Sequence, residues 1–357
     1  MAIIFVDSTA TGANNGTSWT DAYTSLNTAM LAANIAPGDQ LLVSGTFNET
    51  VTIAEAGAAT TPNLVQGDDK SGGAGVGSPA IFTIDGQSTR ANGITSGLGA
   101  AHGYYVFKDM KVTGCTAIGV FLGGTDTITF KRCEFTNNVS WGIKGDDQLL
   151  CEECTFTLAA ADGGVDCDNN CVFVGCKVYN NVGHGISMNN GLVFACEFFS
   201  NSGDNVRTNS GSSGKYILNC IFDGDGKDSD NAINYSHASS LAQVQINNII
   251  YDCTTGITAA QDIGELSISF NNLLNGNTTK YAGSDTHSGE QTGAPLFTNE
   301  GTNDYTLQSG SPAKAAGADA GEIANDVSYM DIGAHQRQEP AGGGGSGMRL
   351  VNGGLVG

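Results

Sequence analysis

Positive charge is scarce in this chain: 15 Lys and Arg stand against 36 Asp and Glu, giving a net charge of −21. Nucleic-acid binding needs clustered cations to displace phosphate counterions, so this balance excludes nucleic acid as a main partner. No apolar run is long enough to cross a bilayer as a helix. The opening Met1-Ala-Ile-Ile-Phe-Val-Asp7 has neither a basic n-region nor a long h-region, so no conventional secretion signal is expected. Proline is down to 6 residues, whereas glycine reaches 51 without a Gly-X-Y period, which excludes collagen and points to many tight turns. A hydrophobic content of 40 % is enough for a sizeable core and excludes disorder over the whole chain.

The spacing of the cysteines is the first positive signal. Cys133, Cys154, Cys176, Cys196 and Cys220 follow one another at 21, 22, 20 and 24 residues, and each opens a short apolar phrase such as Cys133-Glu-Phe135 or Cys196-Glu-Phe198. Met110-Lys-Val112 fits the same slot earlier and Ile249-Ile-Tyr251 later. A second landmark trails the slot: Gly119-Val120, Gly142-Ile143, Gly164-Val165 and Gly185-Ile186. Helical repeats are longer, and the fixed leucines of leucine-rich repeats are absent. A period near ~22 residues with strand-like alternation therefore predicts an all-β fold, a right-handed parallel β-helix.

The columns of that repeat agree. Phe130, Cys151, Phe173, Val193 and Ile217 stand three residues before the slot, and Ile128, Leu149 and Cys171 five before. Arg132, Glu153 and Asn219, one before the slot, read as the outward partners of a strand with one buried face. Asn137-Asn138, Asn180-Asn181 and Asn201 predict an amide ladder at a turn. Cys151-Glu-Glu-Cys154 has the look of a metal motif, but both thiols fall in apolar columns, so core filling is the better reading than zinc. Disulfides between coils are not implied, and free thiols suit assembly in a reducing cytoplasm.

The ends differ from the middle. Residues 1–39 read as an N-terminal strand and a capping helix from Thr20 to Asn34, with Ala22, Leu26, Ala29, Met30 and Ala33 on its buried face. Residues 40–337 form the β-helix, with a protruding loop expected over 55–80. Residues 338–347 are a Gly-rich linker, and 348–357 a separate apolar peptide.

Val6-Asp7, Gly12-Ala-Asn-Asn-Gly16-Thr-Ser-Trp19, Ala22-Tyr23 and Pro37-Gly38-Asp39 resemble the opening of pectate-lyase-like β-helix proteins. Ala294-Pro295-Leu296-Phe297, Asp304-Tyr305, Gly310-Ser-Pro-Ala313 and Asp331-Ile-Gly-Ala334 are similar to their closing region. With the repeat, the resemblance covers roughly residues 3–337 and implies the fold. It does not imply one function, because that superfamily includes lyases, hydrolases, surface proteins and phage spikes.

Three sets of residues are candidates for function. Gly183-His184-Gly185 is similar to an element of polygalacturonases, and the repeat places Asp162, Asp166, His184, Asp204 and Arg207 on one edge. Stacked carboxylates there would raise one another's pKa while His or Arg orients a uronate. The paired aspartates of that family are not in phase, since Asp146-Asp147 lies 37 residues before His184. Asp223, Asp225, Asp228 and Asp230 form an oxygen-rich turn suited to a structural Ca2+, although the closing Glu of an EF-hand is missing. Met348, Arg349, Leu350, Val351, Leu355 and Val356 read as an anchoring peptide on a tether. The leading expectation is a bacteriophage virion protein, a decoration, spike or fibre-like component. It would be assembled in the host cytoplasm, attached to a capsid or tail protein by its C-terminal peptide, and able to form a homotrimer. Binding of host surface polysaccharide fits this role, with Trp141 as a platform. The alternative is a secreted or surface lyase or glycoside hydrolase acting on acidic glycans.

Overall fold

The computed structural model describes residues 1–335 except 55–56, 97–102, 124–126, 210–213, 225–230, 236–241, 260–265, 284–285, 315 and 318–330. The chain winds into an all-β parallel solenoid of about nine turns, with three strands per full coil. Successive coils stack into a 12-stranded sheet (sheet 1) and two 10-stranded sheets (sheets 2 and 3), all parallel. In one representative coil, Thr127–Lys131 lies in sheet 1, Glu134–Thr136 in sheet 2 and Trp141–Asp147 in sheet 3. Each strand pairs with its counterpart one coil away, as in Phe130↔Cys151↔Phe173↔Val193↔Ile217. Side chains of these columns point inward and bury completely, which makes one continuous core along the axis.

Two corners repeat in every coil, and they explain the cysteine period. Between sheets 1 and 2, Asp109, Arg132, Glu153, Ala195, Asn219, Asn247 and Asn271 adopt left-handed φ of 52° to 56°. Arg132, Glu153 and Asn219 are therefore corner residues and not outward strand positions as the alternation suggested. The chain must turn there, and apart from Ala195 the position is taken by polar residues or by glycine, as at Gly175. The next residue is the slot. Its thiol contacts a carbonyl of the preceding coil: Cys154 Sγ to Phe130 O and Cys176 Sγ to Cys151 O, both 3.4 Å. Further along the same column the residue becomes asparagine, and Asn248 Nδ2 donates to Ile217 O at 2.9 Å. Thiol and amide perform one task.

The second corner, between sheets 2 and 3, carries the predicted amide ladder. Asn181 Nδ2 lies 2.9 Å from Asn201 Oδ1, and Asn201 Nδ2 donates to Val178 O at 2.9 Å. Here too the residue types exchange, since Cys115 and Cys253 occupy the column of Asn138 and Asn277, whose side chains accept from their backbone N–H groups. All ten cysteines are buried and free. Cys151 stacks between Phe130 and Phe173, as its apolar column implied, whereas Cys154 belongs to the corner.

The expected helix from Thr20 to Asn34 shortens to Leu26–Ala29. Ser25 caps it, and the Glu49 carboxylate accepts from the backbone N–H groups of Leu26 and Asn27. Tyr23 instead bridges to Val6 as an extended residue, so the chain is already committed to the sheet before the helix begins. Leu26, Ala29 and Met30 do join the interior cluster, but Ala33 is exposed. Ile3–Asp7 is the first strand of sheet 1, in register with Gln40–Ser44. The stretch 55–80 is not loop throughout: Asn63–Gly67 is a strand of sheet 1, its Asn63 and Val65 buried. Toward the other end, a short hairpin of Phe297–Asn299 and Asp304–Leu307 folds onto the outer face of sheet 2.

Candidate functional site

Sheet 3 is the face that gathers polar side chains. Its inward column is Val120, Ile143, Val165, Ile186, Val206 and Ile233, all fully buried. The next residue of each strand faces outward, so Lys144, Asp166, Ser187, Arg207 and Asn234 stand in register along the axis. Strand spacing makes this one side chain per ~4.8 Å. A second outward row begins with Trp141, Gly163 and His184, and Asp204 and Asn231 follow beside it.

The glycines that flank His184 have a structural reason. A Cβ on Gly183 would lie 1.7 Å from Asp162 O, and one on Gly185 would lie 2.4 Å from Asn205 O. The coils approach too closely for a side chain, so the Gly-His-Gly triplet follows from packing, with the histidine held between two bare backbone positions.

Three of the five sequence candidates come together. The Asp204 backbone N–H lies 3.1 Å from His184 Nδ1, and Arg207 Nη1 lies 3.0 Å from His184 Nε2. Both neighbours only donate, and a neutral imidazole has one acceptor nitrogen, so the ring satisfies one of them at a time. Asp204, 5 % exposed in its side chain, accepts from Asn231 Nδ2 at 2.6 Å and Asn234 Nδ2 at 2.9 Å. Each of its two oxygens thus takes an amide donor.

The other two candidates lie one coil earlier with partners of their own. Asp166 pairs with Lys144 at 2.7 Å, and Asp162 accepts from Ser140. The hydrogen bond from Lys144 to Asp166 holds the ammonium's pKa up, reinforced by the charges of Asp166, Asp162 and Asp168. The three carboxylates thus have separate partners: an ammonium for Asp166, a hydroxyl for Asp162 and two amides for Asp204. Lys144, Asn231 and Asn234 are the members that a search for acids and histidines passes over; only their place in the register marks them.

The remaining candidates fall elsewhere. Of the proposed calcium ligands, Asp223 is buried at the end of Ile221–Asp223, while Asp225, Asp228 and Asp230 lie outside the described residues. Among the described residues no cluster of three metal-ligating side chains occurs. Met348, Arg349, Leu350, Val351, Leu355 and Val356 also lie outside them.

No family profile and no curated protein matches the sequence. Solved structures do resemble the fold. Pectate lyase Pel9A aligns with 18 % identity and a TM-score of 0.66, over 95 % of this chain and 97 % of that one. The alginate lyase from Paenibacillus sp. strain FPU-7 aligns with 13 % identity and a TM-score of 0.55, over 82 % of this chain and 99 % of its own. The architecture is the parallel β-solenoid that the repeat predicted.

Proposed function

We propose that this protein is a polysaccharide lyase that acts on an acidic glycan along the outer face of sheet 3. The observation that carries the reading is the 3.0 Å contact of Arg207 Nη1 with His184 Nε2, beside the buried Asp204. A uronate carboxylate arriving at Arg207 would draw the guanidinium's donors to itself and free the imidazole lone pair. Neutralising that carboxylate acidifies the adjacent C–H. His184 then takes this proton, the electron pair forms the C=C bond, and the glycosidic C–O bond breaks with its pair leaving on the oxygen, which takes a proton from water. Proton transfer of this kind suits a neutral imidazole.

Two further points support elimination over hydrolysis. A glycosidase needs one carboxylic acid aimed at the leaving oxygen, and both oxygens of the buried Asp204 are engaged by the amides of Asn231 and Asn234. Both structural neighbours are named as lyases, one of pectate and one of alginate. The row of one polar group per coil also suits a linear polymer laid along the axis.

The test is the ultraviolet absorbance of unsaturated uronide released from polyuronates such as pectate and alginate. His184→Ala and Arg207→Ala should each lower the rate at least ~100-fold with an unchanged thermal midpoint. A wild-type protein that releases no unsaturated product from any polyuronate would sink the reading.

The virion reading rests on the linker 341–347 and the peptide 348–357, both outside the described residues. It stands as a separate proposal, to be judged by whether truncation after Pro340 frees the protein from particles; truncated protein retained at full occupancy would count against it.

A further inference from the structure

Charge is unevenly distributed along the outer face of sheet 3. Its central row runs Phe121, Lys144, Asp166, Ser187, Arg207 and Asn234, one side chain per coil. The next coil adds Thr258, which like Asn234 is uncharged. Lys144 is already committed: its ammonium sits 2.7 Å from Asp166, and Asp162 and Asp168 are close enough to help hold its pKa up. Three carboxylates against one ammonium leave the N-terminal half of the face net negative among the described residues. Arg207 differs from Lys144. Among the described residues no carboxylate pairs with it, and its buried Nε has no hydrogen-bond partner.

Aromatic rings occupy the same N-terminal half. Phe121, 40 % exposed, stands one coil before Lys144. Trp141 shares a strand with Lys144 and is in register with Gly163 and then His184. A Cβ on Gly163 would lie 2.7 Å from Trp141 Cζ3. The indole therefore lies across the bare glycine, one coil from the imidazole.

We propose that the preferred glycan is one whose uronate residues are separated by neutral sugars, with a uronate carboxylate at Arg207 and the neighbouring uncharged ring stacked on Trp141. This rests on the reading of sheet 3 as the glycan site. A pyranose unit of an extended chain advances about as far as one strand spacing, ~5 Å. A homopolyuronate would thus bring a carboxylate to nearly every coil. One would meet Arg207, but those on the N-terminal side would meet Asp166 and Asp162, and like charges in contact cost affinity. The face of an aromatic ring is itself negative, so Trp141 and Phe121 take the C–H face of a neutral pyranose in preference to a carboxylate. Toward the C-terminal end, Asn234 and Thr258 offer partners for hydroxyls and no countercharge. A fully charged polyuronate remains a substrate, bound at a penalty.

Calorimetric titration with two galacturonate oligomers of equal length tests the assignment, one fully de-esterified and one with every second carboxyl methyl-esterified. A His184→Ala background prevents turnover, so binding is read apart from elimination. The half-esterified oligomer should bind at least ~10-fold more tightly. Asp166→Asn leaves Lys144 free for a second uronate, and should narrow that ratio at least ~3-fold by strengthening the fully charged ligand alone. Trp141→Ala should weaken the half-esterified ligand at least ~10-fold while circular dichroism stays unchanged. Equal affinities, tighter binding of the fully charged oligomer, a ratio indifferent to Asp166→Asn, or no binding of either oligomer would overturn the proposal. A protein that shows the preference yet releases no unsaturated product would keep this specificity and lose the elimination reading.

Discussion

His184 has donors on both sides. The backbone N–H of Asp204 points at one ring nitrogen and Arg207 at the other, and a neutral ring can accept from only one of them. In the proposed elimination, an anion that draws Arg207 to itself leaves Nε2 to act as the base. Arg207→Lys should therefore rescue only part of the activity lost in Arg207→Ala, because an ammonium keeps the charge but not the planar fork; the readout is the separation of kcat from KM. The cysteines show the opposite disposition. Burial pushes Cys115 and Cys151 up to about 11, and Cys154 and Cys196 well above the usual thiol range. Since all ten thiols are buried away from the reagent, native protein should take up no iodoacetamide at mildly alkaline pH, and unfolded protein should be modified at all ten sites, as counted by mass spectrometry. The regular spacing of Cys133 to Cys220 was legible in the sequence. That these thiols do the work of corner asparagines was not, because the column changes residue type between Cys220 and Asn248 and only the stacking shows the two to be equivalent.

At the scale of the element, corners carry more information than strands. Asn248 accepts from Cys220 N–H at 2.8 Å and donates to Ile217 O at 2.9 Å, both within the core. Asn248→Leu strands both groups and should cost about 1–3 kcal/mol for each, whereas Asn248→Cys restores the donor and should lose markedly less. Thermal midpoints of the two variants decide between amide chemistry and mere volume. The same logic explains where sequence reading succeeded and failed. Alternation marked the inward columns because each coil repeats it. The helix from Thr20 was overestimated because Ala22 and Leu26 are apolar for two different reasons: Ala22 packs outside sheet 1 with Phe5, and Leu26 packs inside the solenoid. The strand Asn63–Gly67 was missed since its alternation occupies too few residues to stand out from the glycine-rich stretch after it. The phase of Asp162, Asp166, His184, Asp204 and Arg207 was readable from the repeat, but the partners Asn231 and Asn234 follow a longer coil, where the spacing slips.

For the molecule as a whole, two carboxylates fasten outer segments to the solenoid. Burial pushes Glu197 up, but the hydrogen bond from His335 and the charge of Lys177 more than reverse this and hold it below the usual range. Asp7 behaves alike: burial raises it, and Lys70 and Thr9 bring it down. A carboxylate with a depressed folded pKa contributes stability that is fully present above its unfolded value, about 4. That contribution is lost as the pH falls through the folded value. Acid should accordingly loosen the covering segments before the coils. Hydrogen exchange at about pH 3.5 should show earlier loss of protection at Phe297–Asn299 and Asp304–Leu307 than at Cys171–Val174. Equal loss at both would show that these contacts do not set acid stability.

The parallel register of sheet 3 has a consequence for how the site can change. Gly163 and His184 occupy the same position in neighbouring coils, so removing residues 163–183 would join Asp162 to His184 without disturbing the phase of the winding. The shortened chain would keep its core columns and its His184–Arg207 contact, yet Lys144 would now face Ser187 in place of Asp166. The solenoid therefore acts as a sliding scale, on which loss or duplication of one coil re-pairs the outer face by a single notch while the interior stays as it was. The order of charges along the outer face of sheet 3 becomes a quantity that can be edited in whole steps.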